Sequence, residues 1–126
     1  MNKNDIINRL EDLNFDKSGY WVLAGSAMVL HDIRTQTHDI DMGCTKEFAD
    51  ELETQGYPTT AMSDGTRRIT YAEDVEIFED WIFDRVVFVD GIPVISLEGL
   101  LEMKRNLGRE KDMRDIQMIE EFLARR

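Results

Sequence analysis

The sequence has little of several features that would place it in a specialised class. It contains one cysteine, Cys44, so no disulfide can form within the chain and a reducing, cytoplasmic setting is expected. No apolar run approaches the roughly 20 residues that a membrane-spanning helix needs. The first ten residues, MNKNDIINRL, are polar and helix-like, which is not typical of a signal peptide. Because repeats, low-complexity tracts and linkers are also lacking, residues 1–126 are expected to form a single domain.

Positive charge is scarce as well. The chain has 15 Lys and Arg against 26 Asp and Glu, a formal net charge of -11. This balance argues against membrane association and against broad electrostatic binding of nucleic acid. The basic residues gather near the C-terminus: residues 1–103 hold 8 Lys and Arg against 21 Asp and Glu, whereas residues 104–126 hold 7 against 5. This basic tail indicates either a surface that faces a phosphate or a solvated helix face, and the sequence leaves both open.

The apolar pattern predicts a series of helices and strands. Helical spacing of Ile6, Ile7, Leu10 and Leu13 indicates a first helix. Further helices are predicted over 27–31, capped by Ser26, and over 46–55, 96–107 and 111–124. Strands are predicted over 20–24, 39–44, 59–62, 67–71, 75–78, 85–89 and 92–95, with hairpin turns at Ser63-Asp64-Gly65 and Asp90-Gly91. This order predicts an α+β fold with a mixed β-sheet, helices packed against the sheet and two C-terminal helices.

Two aspartates in the second predicted strand are candidate metal ligands. Side chains alternate between the faces of a strand, so Asp39 and Asp41 point the same way while Ile40 and Met42 enter the core. Carboxylates held this close repel each other unless a proton or a cation intervenes, and Mg²⁺ prefers oxygen ligands. The alternative is a solvated strand face in an acidic protein, since Asp-x-Asp is common in such chains.

Gly25 and Ser26 lie between the first strand and the next helix. Backbone N–H groups at a helix start can bind an anion, and glycine allows the chain to approach a phosphate closely. An ordinary strand-to-helix turn with a serine cap is the alternative. Together, Gly25-Ser26 and Asp39-Ile40-Asp41 predict a phosphate site and a metal site separated by 12 residues.

This arrangement resembles the signature of the nucleotidyltransferase superfamily that shares the DNA polymerase beta fold. The signature has an apolar residue, Gly-Ser or Gly-Gly, a spacer of this length, and then Asp-apolar-Asp or Asp-apolar-Glu. The C-terminal segment SLEGLLEMKRNLGREKDMRDI also resembles small members of the family, so the resemblance covers residues 20–120. Small single-domain members include minimal nucleotidyltransferases, aminoglycoside and lincosamide adenylyltransferases, and toxin–antitoxin and abortive-infection types.

The resemblance implies two Mg²⁺ (or Mn²⁺) ions, about 3.5–4 Å apart, held by Asp39 and Asp41. A third carboxylate on a neighbouring strand would be a metal ligand or base; Glu76 in DVEIF fits best, with Asp74 as the alternative. Gly25 and Ser26 would hold the β- and γ-phosphates of a nucleoside triphosphate (NTP) such as ATP, and pyrophosphate would leave.

Basic residues near the two motifs are candidate phosphate ligands. Arg34 and Lys104 are assigned to the nucleotide site, with a surface loop and a solvent-reaching helix side chain as the respective alternatives. Arg109 and Lys111 either lie near the site or cap the last helix. By contrast, Asp112 is expected to cap the last helix, while His31, His38, Trp21 and Trp81 are expected to be structural.

The resemblance implies Mg²⁺-dependent transfer of a nucleoside monophosphate from an NTP to a hydroxyl of an unknown acceptor, which could be a small molecule, a protein or RNA. The alternative is a non-catalytic or toxin–antitoxin-type interaction protein on the same fold. An unrelated acidic domain with a coincidental motif is the third possibility. The small size of the chain leaves little room for an acceptor-binding domain, which favours a partner protein, a homodimer or a macromolecular acceptor.

Overall fold

A computed structural model describes all residues from Met1 to Arg126. Five helices and seven strands alternate along the chain. The helices are α1 (Lys3–Leu13), α2 (Ala24–Leu30), α3 (Lys46–Thr54), α4 (Leu97–Leu107) and α5 (Met113–Arg125). The strands are β1 (Tyr20–Leu23), β2 (Ile40–Cys44), β3 (Thr59–Ala61), β4 (Arg67–Ala72), β5 (Val75–Glu79), β6 (Val86–Val89) and β7 (Ile92–Ile95). None of the helices combines the length and apolar character needed to cross a membrane.

The seven strands form one mixed sheet in the order β3-β4-β5-β2-β1-β7-β6. Strand β2 runs parallel to β5 and antiparallel to β1, while β1 runs parallel to β7. The outer pairs β3–β4, β4–β5 and β6–β7 are antiparallel. The predicted α+β architecture, with a mixed sheet and two C-terminal helices, is therefore confirmed.

The core lies where the central strands meet the helices. All four residues of β1 and all four of β7 are buried, which explains why these strands have continuous apolar sequences. Strand β5 alternates instead: Val75 and Ile77 are fully buried, while Glu76 and Phe78 are partly exposed on the other face. One cluster of 24 buried residues joins these strands to the helices. Burial of each large apolar side chain contributes about 1.5–3 kcal/mol.

The prediction for α2 was wrong at its start. The helix begins at Ala24 rather than at residue 27, and its N-cap is Leu23, which makes no side-chain capping bond. Ala24 has a φ of 54°, so the chain turns sharply at the end of β1 and enters the helix at once. Ser26 therefore lies inside α2, and its hydroxyl is used elsewhere.

The hairpin between β6 and β7 is confirmed. Asp90 and Gly91 both have positive φ, at 49° and 78°, as a two-residue type I′ turn requires. At the C-terminus, a short 3₁₀ turn over Glu110–Asp112 precedes α5. The last helix therefore begins two residues later than the sequence predicted.

Candidate active site

Strand register brings two of the predicted carboxylates side by side. Asp41 of β2 is paired with Glu76 of β5 in the parallel ladder, and with Leu23 of β1 on its other side. Asp39 lies two residues before Asp41, immediately before β2, and is exposed, whereas Asp41 is half-buried. Ile40 and Met42 are fully buried, as alternation predicted. Asp39, Asp41 and Glu76 are called the carboxylate cluster below.

The charges of the carboxylate cluster affect Asp41 strongly. Burial, followed by the negative charges of Asp39 and Glu76, raises the pKa of Asp41 to about 6. Lys104 and Arg68 oppose this rise, but less strongly. Both basic groups are engaged with other carboxylates: Arg68 pairs with Glu76, and Lys104 pairs with aspartates of the C-terminal segment. Asp41 is thus a partly buried carboxylate without an ion-pair partner of its own.

Glu76 and Asp74 have different surroundings. Asp74 lies in the turn before β5 and accepts two hydrogen bonds from Arg9 of α1, at 2.9 and 3.1 Å. Those bonds outweigh burial and lower the pKa of Asp74. Glu76 instead lies beside Asp41, where Arg68 Nε is 2.8 Å from its Oε2. The register therefore brings Glu76 next to Asp41, whereas the Asp74 carboxylate is bound by Arg9.

Ser26 joins α2 to the strand that carries Asp41. Its buried hydroxyl donates to the Leu23 carbonyl at 2.7 Å and accepts the Asp41 backbone N–H at 3.2 Å. Both bonds tie the end of β1, the start of α2 and β2 together. The Ser26 hydroxyl therefore positions the Asp41 backbone.

Gly25 lies under the loop that leads into β2. A Cβ added at Gly25 would be 2.9 Å from Thr37 Oγ1 and 3.0 Å from Arg34 Nη1. Because glycine has no side chain, the Arg34 guanidinium can approach the start of α2. The sequence-predicted phosphate residues Gly25 and Arg34 are therefore neighbours.

A buried ion-pair network that the sequence did not predict lies behind these residues. Lys104 Nζ is 3.1 Å from both Asp112 Oδ1 and Asp115 Oδ2, and all three side chains are buried. Arg34 contacts the other oxygen of Asp115, and Arg109 makes two bonds to Asp112, at 2.6 and 3.1 Å. The C-terminal network, defined as these five residues, holds the two C-terminal helices against the loop before β2.

The expected cap at Asp112 was wrong. Asp112 occupies the N-cap position of α5, but its side chain makes no capping bond and binds Lys104 and Arg109 instead. A sequence signal did exist: Asp112 and Asp115 lie seven and four residues before the buried Ile119, on the apolar side of α5. Buried aspartates on an apolar helix face require basic partners.

An apolar cleft of about 330 Å³ opens beside the carboxylate cluster. Seven of its ten lining residues are hydrophobic, and Asp41, Arg68 and Arg109 supply its charged groups. The rings of Phe78 and Trp81 stack along one side, with centroids 4.6 Å apart and planes 25° apart. Trp81, which was expected to be a core residue, is only partly buried and lines this cleft.

Two other residues have the structural roles expected of them. Trp21 is 7% exposed, and its indole N–H donates to the Trp81 carbonyl at 2.7 Å. The Nε2 atom of His31 is 2.8 Å from the Ile95 carbonyl oxygen.

The carboxylate cluster was tested for its fit to a divalent cation. No three His, Cys, Asp or Glu side chains converge closely enough in the described chain to enclose a metal ion. Hard oxygen donors are present, however, and the negative charges of Asp39 and Glu76 add to burial in raising the pKa of Asp41. Asp39 and Asp41 are free of ion pairs, while Glu76 would first have to separate from Arg68. The residues therefore suit a cation that arrives together with its other ligands.

Three solved structures have a similar fold. A candidate nucleotidyltransferase from Thermotoga maritima has a TM-score of 0.61 at 21% identity, covering 100% of this chain and 97% of the other. ANT(2″)-Ia in complex with adenylyl-2″-tobramycin has a TM-score of 0.59 at 14% identity, covering 94% and 85%. The lincomycin-bound lincosamide adenylyltransferase LnuA has a TM-score of 0.55 at 17% identity, covering 91% and 92%.

The chain therefore has the nucleotidyltransferase fold, as the resemblance predicted. Neither a family model nor a curated protein is similar enough in sequence to match it. The similarity extends over almost the full length of the three structures, so the fold is present as a whole.

Proposed function

We propose that this protein is a nucleotidyltransferase that uses Mg²⁺ or Mn²⁺ to transfer a nucleoside monophosphate from an NTP to an acceptor hydroxyl. One observation carries the proposal: Asp41 is paired with Glu76 across two parallel strands, and Asp39, two residues before Asp41, is close enough for its charge to act on Asp41. Burial, followed by the negative charges of these neighbours, raises the pKa of Asp41 to about 6. A divalent cation would remove this repulsion.

In this proposal, Asp39, Asp41 and Glu76 hold the metal. The bound cation supplies charge neutralisation for the triphosphate and lowers the pKa of the attacking hydroxyl. The protein itself mainly orients the reactants, since phosphoryl transfer requires little covalent chemistry from side chains. Ser26 contributes by fixing the Asp41 backbone, because its hydroxyl accepts the Asp41 N–H.

The phosphates would bind near Gly25 and Arg34. These residues lie together at the start of α2: one guanidinium nitrogen of Arg34, Nη1, lies beside Gly25, while the other, Nη2, is bound to Asp115. Lys104 is buried between two aspartates and acts on the site through its charge, which opposes the rise in the Asp41 pKa. In this proposal, Lys104 therefore supports nucleotide binding through its charge, and not through the direct phosphate contact suggested from the sequence.

A second candidate is a non-catalytic interaction protein on the same fold, of the toxin–antitoxin type. The observation that favours it is the ion pair between Arg68 and Glu76, which occupies the third carboxylate. If this pair persisted in the presence of metal and nucleotide, the site would lack one of its three ligands.

Thermal unfolding tests the first requirement of the enzyme, metal-dependent binding of a nucleotide. ATP with Mg²⁺ or Mn²⁺ is expected to raise the melting temperature, because a ligand at 100 times its Kd stabilises the folded state by about 2.7 kcal/mol. The same scan with CTP, GTP and UTP reports base preference. Asp39→Ala combined with Asp41→Ala should abolish the rise, whereas Glu73→Ala, at an exposed turn position, should leave it intact. A wild-type protein that shows no metal-dependent nucleotide response would exclude the enzyme.

Transfer itself requires a separate assay. Wild-type protein is incubated with α-phosphate-labelled NTP, Mg²⁺ and cell extract, and the label is followed into small molecules, protein and RNA. Label in one fraction identifies the acceptor class, and the Asp39→Ala/Asp41→Ala protein is the matched control. Nucleotide binding without any labelled product would favour the interaction protein.

A further inference from the structure

Two aromatic side chains form one side of the cleft beside the carboxylate cluster, and neighbouring residues hold them in place. Gly43 makes this possible: a Cβ there would lie 2.1 Å from Trp21 Nε1 and 2.8 Å from the Trp81 carbonyl oxygen. Because Gly43 has no side chain, the Trp21 indole can lie over β2. Its N–H donates to the Trp81 carbonyl at 2.7 Å. Trp81 is thereby fixed at the backbone, while its ring stacks on Phe78. Phe78 and Trp81 are called the aromatic wall below.

The register of the strands separates the aromatic wall from the phosphate residues. Gly43, two residues after Asp41, is paired with Phe78, so the wall lies toward the end of β2. Gly25, by contrast, lies beside Arg34 and Thr37, which precede β2. Strand residues rise about 3.3 Å each, so Asp41 lies between the two regions.

This separation matters for the proposed reaction, on which the present inference rests. In phosphoryl transfer the attacking and leaving oxygens are roughly in line, on opposite sides of the phosphorus. Pyrophosphate leaving toward Gly25 and Arg34 therefore requires an acceptor hydroxyl that approaches from the aromatic wall.

We propose that the aromatic wall of Phe78 and Trp81 binds the acceptor, and that this acceptor is a hydroxyl compound with a planar, apolar ring. The acceptor oxygen forms a bond to the α-phosphorus of the NTP. The bond from that phosphorus to the α–β bridging oxygen breaks, and pyrophosphate leaves with the electron pair. The hydroxyl proton passes to the carboxylate cluster and then to water.

The charges of the cleft indicate which acceptors it rejects. Its ionised lining groups are one carboxylate, Asp41, and two guanidinium groups, Arg68 and Arg109. With Asp41 engaged by the metal, no free carboxylate remains in the lining to pair with an amino group. A polycationic aminoglycoside is therefore disfavoured by charge. The volume of about 330 Å³ is at the small end of ligand pockets, which suits one or two fused rings.

The test uses the two tryptophan indole N–H signals in a ¹H–¹⁵N NMR spectrum, assigned with Trp81→Phe. The probe is 2-(2-naphthyl)ethanol, and its saturated decahydronaphthyl analogue is the matched control, with the same carbon skeleton but no planar ring. The naphthyl probe should shift the Trp81 signal and bind about tenfold more tightly than the saturated probe. Tobramycin, as a polycation, should leave the Trp81 signal in place.

Variants complete the test. Trp81→Leu keeps apolar bulk but removes the ring, and should weaken naphthyl binding about tenfold by ligand-observed NMR. Phe88→Ala, at an aromatic residue of β6 that is 65% exposed, is the control and should bind as the wild type does. Equal binding of both alcohols, no binding of either, or unchanged binding by Trp81→Leu would each overturn the proposal. The ATP–Mg²⁺ thermal shift of the wild-type protein tests the proposed function separately.

Discussion

Asp41→Asn should make the protein more stable while removing its proposed activity. The pKa of Asp41 is raised from 3.8 to about 6, and each pKa unit corresponds to 1.36 kcal/mol. The full difference would be about 3 kcal/mol, but Asp41 is only half-buried, so solvent screening reduces it to about 1–2 kcal/mol. For a chain of this length, the melting temperature should rise by about 3–10 °C at pH 7.5 without metal.

The stability that Asp41→Asn gains over the wild type should depend on pH. A protein with a carboxyl group whose pKa is raised in the folded state loses stability as pH rises from the unfolded-state pKa of that group to its folded-state pKa, because over this range the unfolded chain ionises more readily than the folded one. The destabilisation develops as pH rises from about 4 to about 6 and is complete above that range. Wild type and Asp41→Asn should therefore converge in stability below about pH 4, where Asp41 is neutral in both the folded and the unfolded state.

Thermal unfolding over this pH range, with urea unfolding at pH 7.5, provides the assay. Glu73→Gln removes the same charge from an exposed turn and controls for the net charge of -11. The reasoning would be refuted if Asp41→Asn were less stable than the wild type at pH 7.5. If Asp41→Asn and Glu73→Gln raised the stability by the same amount, the smaller net negative charge, and not the carboxylate cluster, would explain the increase.

Three further substitutions test other parts of the structure. Lys104→Met removes the buried cation between two aspartates and should cost about 3–5 kcal/mol in urea unfolding, because those carboxylates lose a partner. Arg68→Gln frees Glu76 and should lower the Mn²⁺ concentration for half-maximal thermal shift about two- to fivefold, the value of an exposed ion pair. Gly43→Ala places a Cβ against Trp21 and should cost about 3 kcal/mol, with a displaced Trp21 indole signal.

Each of these has a matched control. Lys46→Met removes a lysine that is 69% exposed in its side chain and should change stability by less than about 0.5 kcal/mol. Arg85→Gln, at an arginine that is 67% exposed, should leave the Mn²⁺ response unaltered. A Lys104→Met protein as stable as Lys46→Met would show that the C-terminal network contributes nothing. A Gly43→Ala protein as stable as the wild type would contradict the close packing of Trp21 against Gly43. If Arg68→Gln left the Mn²⁺ concentration for half-maximal thermal shift unchanged, Arg68 would not compete with the metal for Glu76.

The sequence predicted elements whose signals are local. The buried strands β1 and β7 have continuous apolar sequences, and the turn at Asp90-Gly91 has the residues that a type I′ hairpin requires. Alternation within β2 and β5 correctly separated buried positions from partly exposed ones. Alternation places Asp41 and Glu76 on the same face of the sheet, but their pairing depends on the register of β2 and β5, which alternation does not specify.

Features that depend on tertiary contacts escaped prediction. The start of α2 was placed too late because nothing in the sequence marks Ala24 as a residue with positive φ. Lys104 joins Asp112 and Asp115 only after the two C-terminal helices pack together. Trp81 lines the cleft because its backbone is held by Trp21, a contact between residues 60 positions apart.

A crystal of the protein soaked with Mg²⁺ and a non-hydrolysable ATP analogue tests the central claim most directly. The account predicts metal density on the carboxylates of Asp39 and Asp41, triphosphate beside Gly25 and Arg34, and Glu76 released from Arg68 to face the metal. Nucleotide bound elsewhere, or bound with Arg68 still paired to Glu76 and no metal on the aspartates, would contradict it.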